Sequence, residues 1–160
     1  MEKLVVNGLD VPLACDDRDT LADVLRGQGA KSVHLGCEHG VCGACNVLID
    51  GVCTRSCLVM ARSCADSAVI TLEGLKDDLA QRLRQAFTRN HALQCGYCTP
   101  GVFVAAYEIL SAGKELDEQT VRTQMAGNIC RCTGYQGIVD AILEVAAERT
   151  VGMDIQETAI

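Results

Sequence analysis

Closely spaced cysteines constrain this chain more than any other feature of its sequence. The segment GCEHGVCGAC spans residues 36–45, and two further groups follow at QCGYCTPG (94–101) and GNICRCTGY (127–135). The chain has eleven cysteines, an odd number that cannot all pair as disulfides within it. Thiols grouped at such short spacings are typical of metal binding, so we expect metal centres and not a disulfide framework.

The first group has the spacing Cys37-x4-Cys42-x2-Cys45, with a fourth cysteine further along the chain. Plant-type [2Fe–2S] ferredoxins use this spacing. The glycines around it allow positive φ angles, so that backbone N–H groups can face the sulfur atoms. A structural zinc site also takes four thiolates, but zinc sites favour paired hooks of cysteines. The spacing favours iron–sulfur and leaves Cys53 and Cys57 as candidates for the fourth ligand.

The second group joins Cys95-x2-Cys98 to Cys130-x-Cys132. Both pairs fall at the ends of predicted helices, where the positive end of a helix dipole suits an anionic thiolate centre. A zinc clasp between two helix ends would use the same residues. The spacing alone therefore leaves zinc and iron–sulfur open for this site.

The remaining thiols and the histidines do not extend either group. A Rieske centre needs two histidines close to cysteine ligands, and the cysteines around His39 already complete their site. We expect no histidine to bind metal: His34, His39 and His91. We expect the other cysteines to pack as small apolar residues: Cys15, Cys53 and Cys64.

The first half of the chain has the pattern of short strands with tight turns. Asn7-Gly8 and Asp50-Gly51 each separate two β-rich runs and predict hairpins. A short helix follows Asp19 or Thr20, either of which can cap it. The alternating segment 68–75 predicts a closing strand. We expect a small α+β domain over residues 1–75.

The second half changes to helical periodicity. Helices are predicted over 79–87, from Thr99-Pro100 onward with a capping hydroxyl and an early proline, over 118–127 and over 138–149. Four helices suggest a bundle. We therefore expect a helical domain over residues 76–160 that ends in a short, frayed C-terminal tail from residue 150.

Charge and hydropathy exclude several classes of function. The net charge is −7, which disfavours binding to nucleic acid or an anionic membrane surface. The longest apolar run is far shorter than the roughly 20 residues of a membrane span, and the N-terminus does not have the pattern of a secretory signal. We expect a cytoplasmic protein.

Taken together, the motifs resemble one family. GCEHGVCGAC (36–45), the step to Cys57, ITLEGL (70–75), QCGYCTPG (94–101) and GNICRCTGY (127–135) occur in this order. The chain is similar in this to the iron–sulfur subunit of the xanthine dehydrogenase and carbon monoxide dehydrogenase family of molybdenum hydroxylases. The resemblance covers positions 1–149 and implies a β-grasp ferredoxin-like domain followed by a four-helix-bundle domain, each with one [2Fe–2S] cluster.

The resemblance also implies the roles of individual residues. The ligands of the ferredoxin-like cluster match Cys37, Cys42, Cys45 and Cys57. The ligands of the helical-domain cluster match Cys95, Cys98, Cys130 and Cys132. Gln94 and Cys132 match positions close to the molybdopterin of the partner subunit. The chain departs from the family at His34, where lysine is common, and at Asn46, where threonine is usual.

The function implied is electron transfer within an oxidoreductase complex. Electrons would pass from a large molybdopterin-binding subunit through the two clusters to a medium FAD-binding subunit, in a heterotrimer or a dimer of heterotrimers. The chain has no nucleotide-binding glycine fingerprint and no acid/base constellation, so we expect the substrate chemistry in a partner. Two alternatives are a free-standing ferredoxin-like electron carrier, which needs no second domain, and a zinc-stabilised interaction module.

Overall fold

The first half of the chain forms a mixed five-stranded sheet in the computed structural model, which describes the backbone of residues 2–157 and the side chains of residues 2–148. The strands are β1 (Lys3–Val6), β2 (Leu9–Pro12), β3 (Asn46–Ile49), β4 (Val52–Arg55) and β5 (Ala68–Ile70). Their order across the sheet is β2-β1-β5-β3-β4. β1 and β5 are parallel, and the other neighbouring strands are antiparallel.

Both predicted hairpins are confirmed. Asn7 and Gly8 have φ angles of 51° and 82°, and Asp50 and Gly51 have 49° and 87°. Two consecutive positive φ angles give the turn whose twist matches that of the flanking strands, which is why Asn-Gly and Asp-Gly are favoured there. β1 pairs with β2 across the first turn, and β3 with β4 across the second.

One helix, α1 (Leu21–Gly27), packs on the sheet. Thr20 caps it, because its hydroxyl accepts from the Asp23 N–H while the Asp23 carboxylate accepts from the Thr20 N–H. Leu21 and Leu25 are fully buried and join the core of the sheet. The predicted helix and its cap are confirmed, and α1 leads into the loop that carries the first cysteines.

Four helices make up the second half: α2 (Asp78–Arg89), α3 (Thr99–Ser111), α4 (Glu118–Gln124) and α5 (Gln136–Glu157). α3 is buried on nearly all sides because it packs between β3 and the helices α2 and α5. No helix in the described part of the chain is long and apolar enough to cross a membrane. The predicted α+β class is confirmed.

The two halves share a packed boundary. Leu48 of β3 belongs to the hydrophobic core of the helices. The Cys53 N–H of β4 donates to the Glu108 carboxylate of α3 at 2.7 Å. The first cysteine loop leads into β3, and Cys98 directly precedes α3. The packing of α3 on β3 therefore holds the two groups of cysteines in a fixed arrangement.

Three local predictions need correction. The strand predicted over 68–75 ends at Ile70, because the Thr71 N–H donates to the Asn7 side chain at 2.9 Å and a single 3₁₀ turn follows. Thr99 does not cap α3: the helix is preceded by Cys98, and no side chain caps it. The last helix continues past 149 to Glu157, while residues 158–160 of the predicted tail lie outside the described residues.

Candidate metal centres

The first group of cysteines lies on two segments that meet at one end of the sheet. Cys37, Cys42 and Cys45 are on the loop between α1 and β3. Cys57 is in the 3₁₀ turn Ser56–Leu58 that follows β4. The antiparallel pairing of β3 with β4 places the start of β3 beside the end of β4, so Cys45 and Cys57 meet.

The loop turns its backbone N–H groups toward sulfur. Glu38 and Gly40 have φ angles of 56° and 88°, which coil the chain tightly after Cys37. Hydrogen bonds from the backbone N–H groups of His39 and Cys42 lower the pKa of the Cys37 thiol to about 6. This loop stabilises a thiolate, which is the form that binds metal.

The four thiols contact each other as two pairs. The neighbouring Cys42 thiol helps to lower the pKa of Cys37. Burial and the neighbouring Cys45 thiol raise the pKa of Cys57 to about 11. Crowded, buried thiols resist ionisation until a cation supplies positive charge, and metal binding then releases their protons.

The cysteines outside the two groups lie elsewhere. Cys53 points into the core of the helices, where burial and the Glu108 carboxylate raise the pKa of its thiol to about 12. Cys64 is buried and Cys15 is half-buried in the core of the sheet. The structure thus brings Cys57, and not Cys53, into contact with Cys45.

The second group of cysteines lies where two helices begin. Cys98 immediately precedes α3, and Cys95 lies on the loop before it. Cys130 and Cys132 are on the loop that leads into α5. The start of a helix carries the positive end of its dipole, which favours an anionic centre nearby.

These thiols also form two contacting pairs. Burial and the neighbouring Cys130 thiol raise the pKa of Cys98 to about 12. The neighbouring Cys95 thiol raises the pKa of Cys132. Each pair takes one thiol from each segment, so the four thiols come together only when the two segments are held next to each other.

Polar groups around the second set face its sulfurs. Burial pushes the pKa of the Cys130 thiol upward, but the Thr133 hydroxyl, 3.1 Å away, and nearby N–H groups hold it below its ordinary value. The Thr99 hydroxyl oxygen is buried and has no hydrogen-bond partner among the described residues. A hydroxyl beside Cys98 that lacks a protein partner suits a site where a sulfur acceptor is bound.

The chemistry of both sets fits a two-iron cluster. Each supplies four sulfur donors in two contacting pairs, as a centre with two iron atoms and four thiolate ligands requires. The histidines have other contacts: His39 Nδ1 lies 2.6 Å from the Cys37 carbonyl oxygen, and His34 Nδ1 lies 2.7 Å from the Tyr97 carbonyl oxygen.

Exposure differs sharply between the two sets. Cys45 and Cys57 of the first set are buried, whereas Cys95 and Cys132 of the second set are exposed. Gln94 is exposed beside Cys95. The structure thus places Gln94 and Cys132, which were predicted to lie near molybdopterin, at the open edge of the second set.

A close-packed junction joins the two cysteine loops. The Ile129 N–H donates to the Cys42 carbonyl oxygen at 2.9 Å. A Cβ atom on Gly101 would overlap the Gly43 carbonyl oxygen, and one on Gly43 would lie 2.7 Å from the Asn128 amide nitrogen. Glycine is required at both positions because the two loops touch there through their backbones.

The sequence analysis missed residues at this junction. Arg55 donates to backbone on both sides of it, and buried Asn46 bonds to Arg55 and to the start of α3. Tyr97 reaches from the second loop to donate to the Leu35 carbonyl oxygen at 2.8 Å. Asn46 was noted only as a departure from threonine, and no local pattern marks Arg55 or Tyr97, because their partners are far away in sequence.

Two iron–sulfur families match consecutive parts of the chain. The family described as "2Fe-2S iron-sulfur cluster binding domain" matches residues 4–69. The family described as "[2Fe-2S] binding domain" matches residues 71–143.

Curated relatives match over most of the chain. The nicotine 6-hydroxylase small subunit of Paenarthrobacter nicotinovorans is 46% identical over 89% of this chain and 87% of its own length. The xanthine dehydrogenase iron-sulfur-binding subunit of Escherichia coli O157:H7 is 41% identical over 87% of this chain and 89% of its own length.

Solved structures share the fold. A chain of quinoline 2-oxidoreductase from Pseudomonas putida 86 superposes with a TM-score of 0.86 at 40% identity, covering 94% of this chain and 96% of that one. Aldehyde oxidoreductase from Desulfovibrio desulfuricans ATCC 27774 superposes with a TM-score of 0.85 at 38% identity. This match covers 94% of the present chain but only 17% of that longer one.

Proposed function

The chain belongs to the family of [2Fe–2S] iron–sulfur subunits of molybdenum hydroxylases, and from this we propose that it relays electrons between partner subunits of such an oxidoreductase. The observation that carries the proposal is the arrangement of two four-thiol sets on loops that touch through their backbones. The relatives are named as subunits of multi-subunit oxidoreductases, which favours this role over a free-standing ferredoxin-like carrier.

We propose the ligands as two sets, each holding one [2Fe–2S] cluster that takes up and releases one electron. The first set is Cys37, Cys42, Cys45 and Cys57, and the second is Cys95, Cys98, Cys130 and Cys132. The contacting pairs support one iron for Cys37 with Cys42 and the other for Cys45 with Cys57. In the second set they support Cys98 with Cys130 and Cys95 with Cys132.

The exposed edge of the second set is proposed to face the large, molybdopterin-binding subunit. Gln94, Cys95 and Cys132 are exposed there, and a glutamine amide offers both a donor and an acceptor to a polar ring system. We propose that electrons leave through the first set to a medium, FAD-binding subunit, and that the complex is a heterotrimer or a dimer of heterotrimers. We propose a cytoplasmic location.

The finer description of the fold is part of the same proposal. A mixed sheet with α1 packed across it supports a β-grasp domain over residues 1–75. Contacts of α5 with α2, α3 and α4 support a four-helix-bundle domain over residues 76–160. The family boundary between residues 69 and 71 lies close to this division.

Ligand substitutions test the proposal. We expect the purified complex to contain about four iron atoms per copy of this chain and no stoichiometric zinc. Cys42→Ser should remove one EPR signal of the reduced protein and Cys98→Ser the other, since their sets lie on different segments. Cys15→Ala, a half-buried thiol outside both sets, is the control and should leave both signals. One zinc per chain, or loss of both signals in either variant with the fold intact, would contradict the proposal.

A further inference from the structure

Arg55 connects the two cysteine loops through its guanidinium group. Its Nε donates to the carbonyl oxygen of Gly40 at 3.1 Å, and Gly40 lies between ligands of the first set. Its Nη2 donates to the carbonyl oxygen of Gly127 at 2.5 Å, and Gly127 lies on the segment that leads to Cys130. One side chain therefore contacts the backbone of both cluster loops.

Asn46 completes this connection. Its side-chain oxygen accepts from Arg55 Nη1 at 2.5 Å, and its amide nitrogen donates to the Gly101 carbonyl oxygen in the first turn of α3 at 3.1 Å. Asn46 is only 3% exposed, so these bonds are shielded from water. Asn46 uses two separate atoms for these bonds, whereas a threonine would have to accept from Arg55 and donate to α3 through one hydroxyl oxygen.

The positive charge of Arg55 has no carboxylate partner. Among residues 2–148, the ion pairs do not include Arg55, and its three hydrogen bonds go to two carbonyl oxygens and one amide oxygen. A guanidinium group stays protonated in proteins. The charge is half-buried between the backbones of the two cysteine loops, where Coulomb interactions are stronger than in bulk water.

We infer that Arg55, held by Asn46, is a positioning and charge-tuning residue that sets the spacing of the two cluster loops and raises the reduction potentials of both clusters. Adding an electron to either cluster adds negative charge, and a fixed cation nearby favours the reduced form. This inference rests on the proposed function. The residues that carry it are not ligands, so it can fail while the proposed function holds.

A redox titration of the purified complex, monitored by EPR, tests whether the charge of Arg55 raises the reduction potentials of the two clusters. Arg55→Gln removes it, and Arg55→Lys retains it with fewer hydrogen bonds. At the potential where each wild-type cluster is half reduced, we expect the ratio of reduced to oxidised cluster in Arg55→Gln to fall about tenfold, a shift of ~59 mV for one electron. We expect little change in Arg55→Lys. Arg62→Gln, a surface arginine paired with Glu2 and Asp17, is the control and should shift neither signal.

Two substitutions of Asn46 separate charge from position. Asn46→Asp sets a carboxylate against Arg55 and should lower both potentials as Arg55→Gln does. Asn46→Ala leaves the charge but removes the link to α3, so the potentials should stay while the magnetic interaction between the two reduced clusters weakens. An unchanged interaction in Asn46→Ala would overturn the positioning role.

Further outcomes overturn the inference. Potentials equal to the wild type in Arg55→Gln and Asn46→Asp, or an equal fall in Arg62→Gln, would reject the tuning role. Loss of a cluster from both Arg55→Lys and Asn46→Asp would make Arg55 a structural requirement for assembly and not a tuning residue. Absence of two EPR signals from the wild type would instead reject the proposed function.

Discussion

The imidazole of His34 stacks on the phenol ring of Tyr97, with 4.7 Å between ring centroids and 24° between ring planes. His34 precedes the first cysteine loop, and Tyr97 lies between two cysteines of the second. The Tyr97 hydroxyl also donates to the Leu35 carbonyl oxygen. His34 and Tyr97 thus form an aromatic contact across the junction of the two loops.

A double-mutant cycle measures the interaction free energy of the contact between His34 and Tyr97. We expect His34→Ala and Tyr97→Ala to show a coupling free energy of about 1 kcal/mol, since a stacked pair contributes roughly that much beyond its buried area. The urea midpoint of unfolding of the cluster-loaded chain reports it. His91→Asn, at an exposed histidine, should combine additively with Tyr97→Ala. Additive effects for His34 and Tyr97 would show that the rings do not stabilise each other.

The choice of Cys57 over Cys53 is directly testable. Cys57→Ala should remove the EPR signal that Cys42→Ser removes, and iron content should fall by about half, because each cluster holds half of the iron. Cys53→Ala should leave both signals, since its thiol packs against the core of the helices and Cys57 is the proposed fourth ligand. Loss of a cluster in Cys53→Ala would reverse the assignment.

Gln94 should affect electron entry without affecting assembly. We expect Gln94→Ala to leave both clusters and the complex intact and to slow cluster reduction by substrate roughly fivefold, the effect of about one lost hydrogen bond. Stopped-flow bleaching of the iron–sulfur absorbance measures this rate. Gln81→Ala, an exposed glutamine of α2 bonded to the Lys76 carbonyl oxygen, is the matched control. Equal rates for wild type and Gln94→Ala, where this transfer limits the bleaching, would leave Gln94 without a role in electron entry.

A side chain at position 101 should destabilise the protein. Gly101→Ala places a Cβ on the Gly43 carbonyl oxygen, so the start of α3 and the first cysteine loop must separate. We expect a loss of roughly 2 kcal/mol in stability, and a fall of about 4–8 °C in Tm, because strain in packed regions costs this much. Gly27→Ala is the control, since no atom lies within 4 Å of a Cβ at the end of α1. Equal melting temperatures for the two variants would show that the junction adapts without cost.

Local sequence signals identified the features that depend on a few neighbouring residues. The Asn7-Gly8 and Asp50-Gly51 turns and the Thr20 cap follow from backbone preferences that act over two to four residues. The eight proposed ligands came from motif spacing and resemblance. The Thr99 cap failed because the chain already enters helical geometry at Cys98, where φ and ψ are −78° and −20°.

The junction could not be predicted in this way. Arg55 contacts Gly127 across 72 positions of sequence, and Asn46 contacts Gly101 across 55. Such contacts depend on how the helices pack against β3, and no periodicity of charge or hydropathy encodes them. The pairing of thiols within each set also emerges only from the fold.

The unequal burial of the cysteines determines which thiols a cluster-delivering protein can reach in the folded chain. Proteins that deliver iron–sulfur clusters need physical access to the receiving thiols. Cys45 and Cys57 of the first set and Cys130 of the second are buried, so each set has at least one ligand that a delivery protein cannot reach in the folded chain. Cys95 and Cys132 are exposed, so two thiols of the second set can be reached without any opening of the fold.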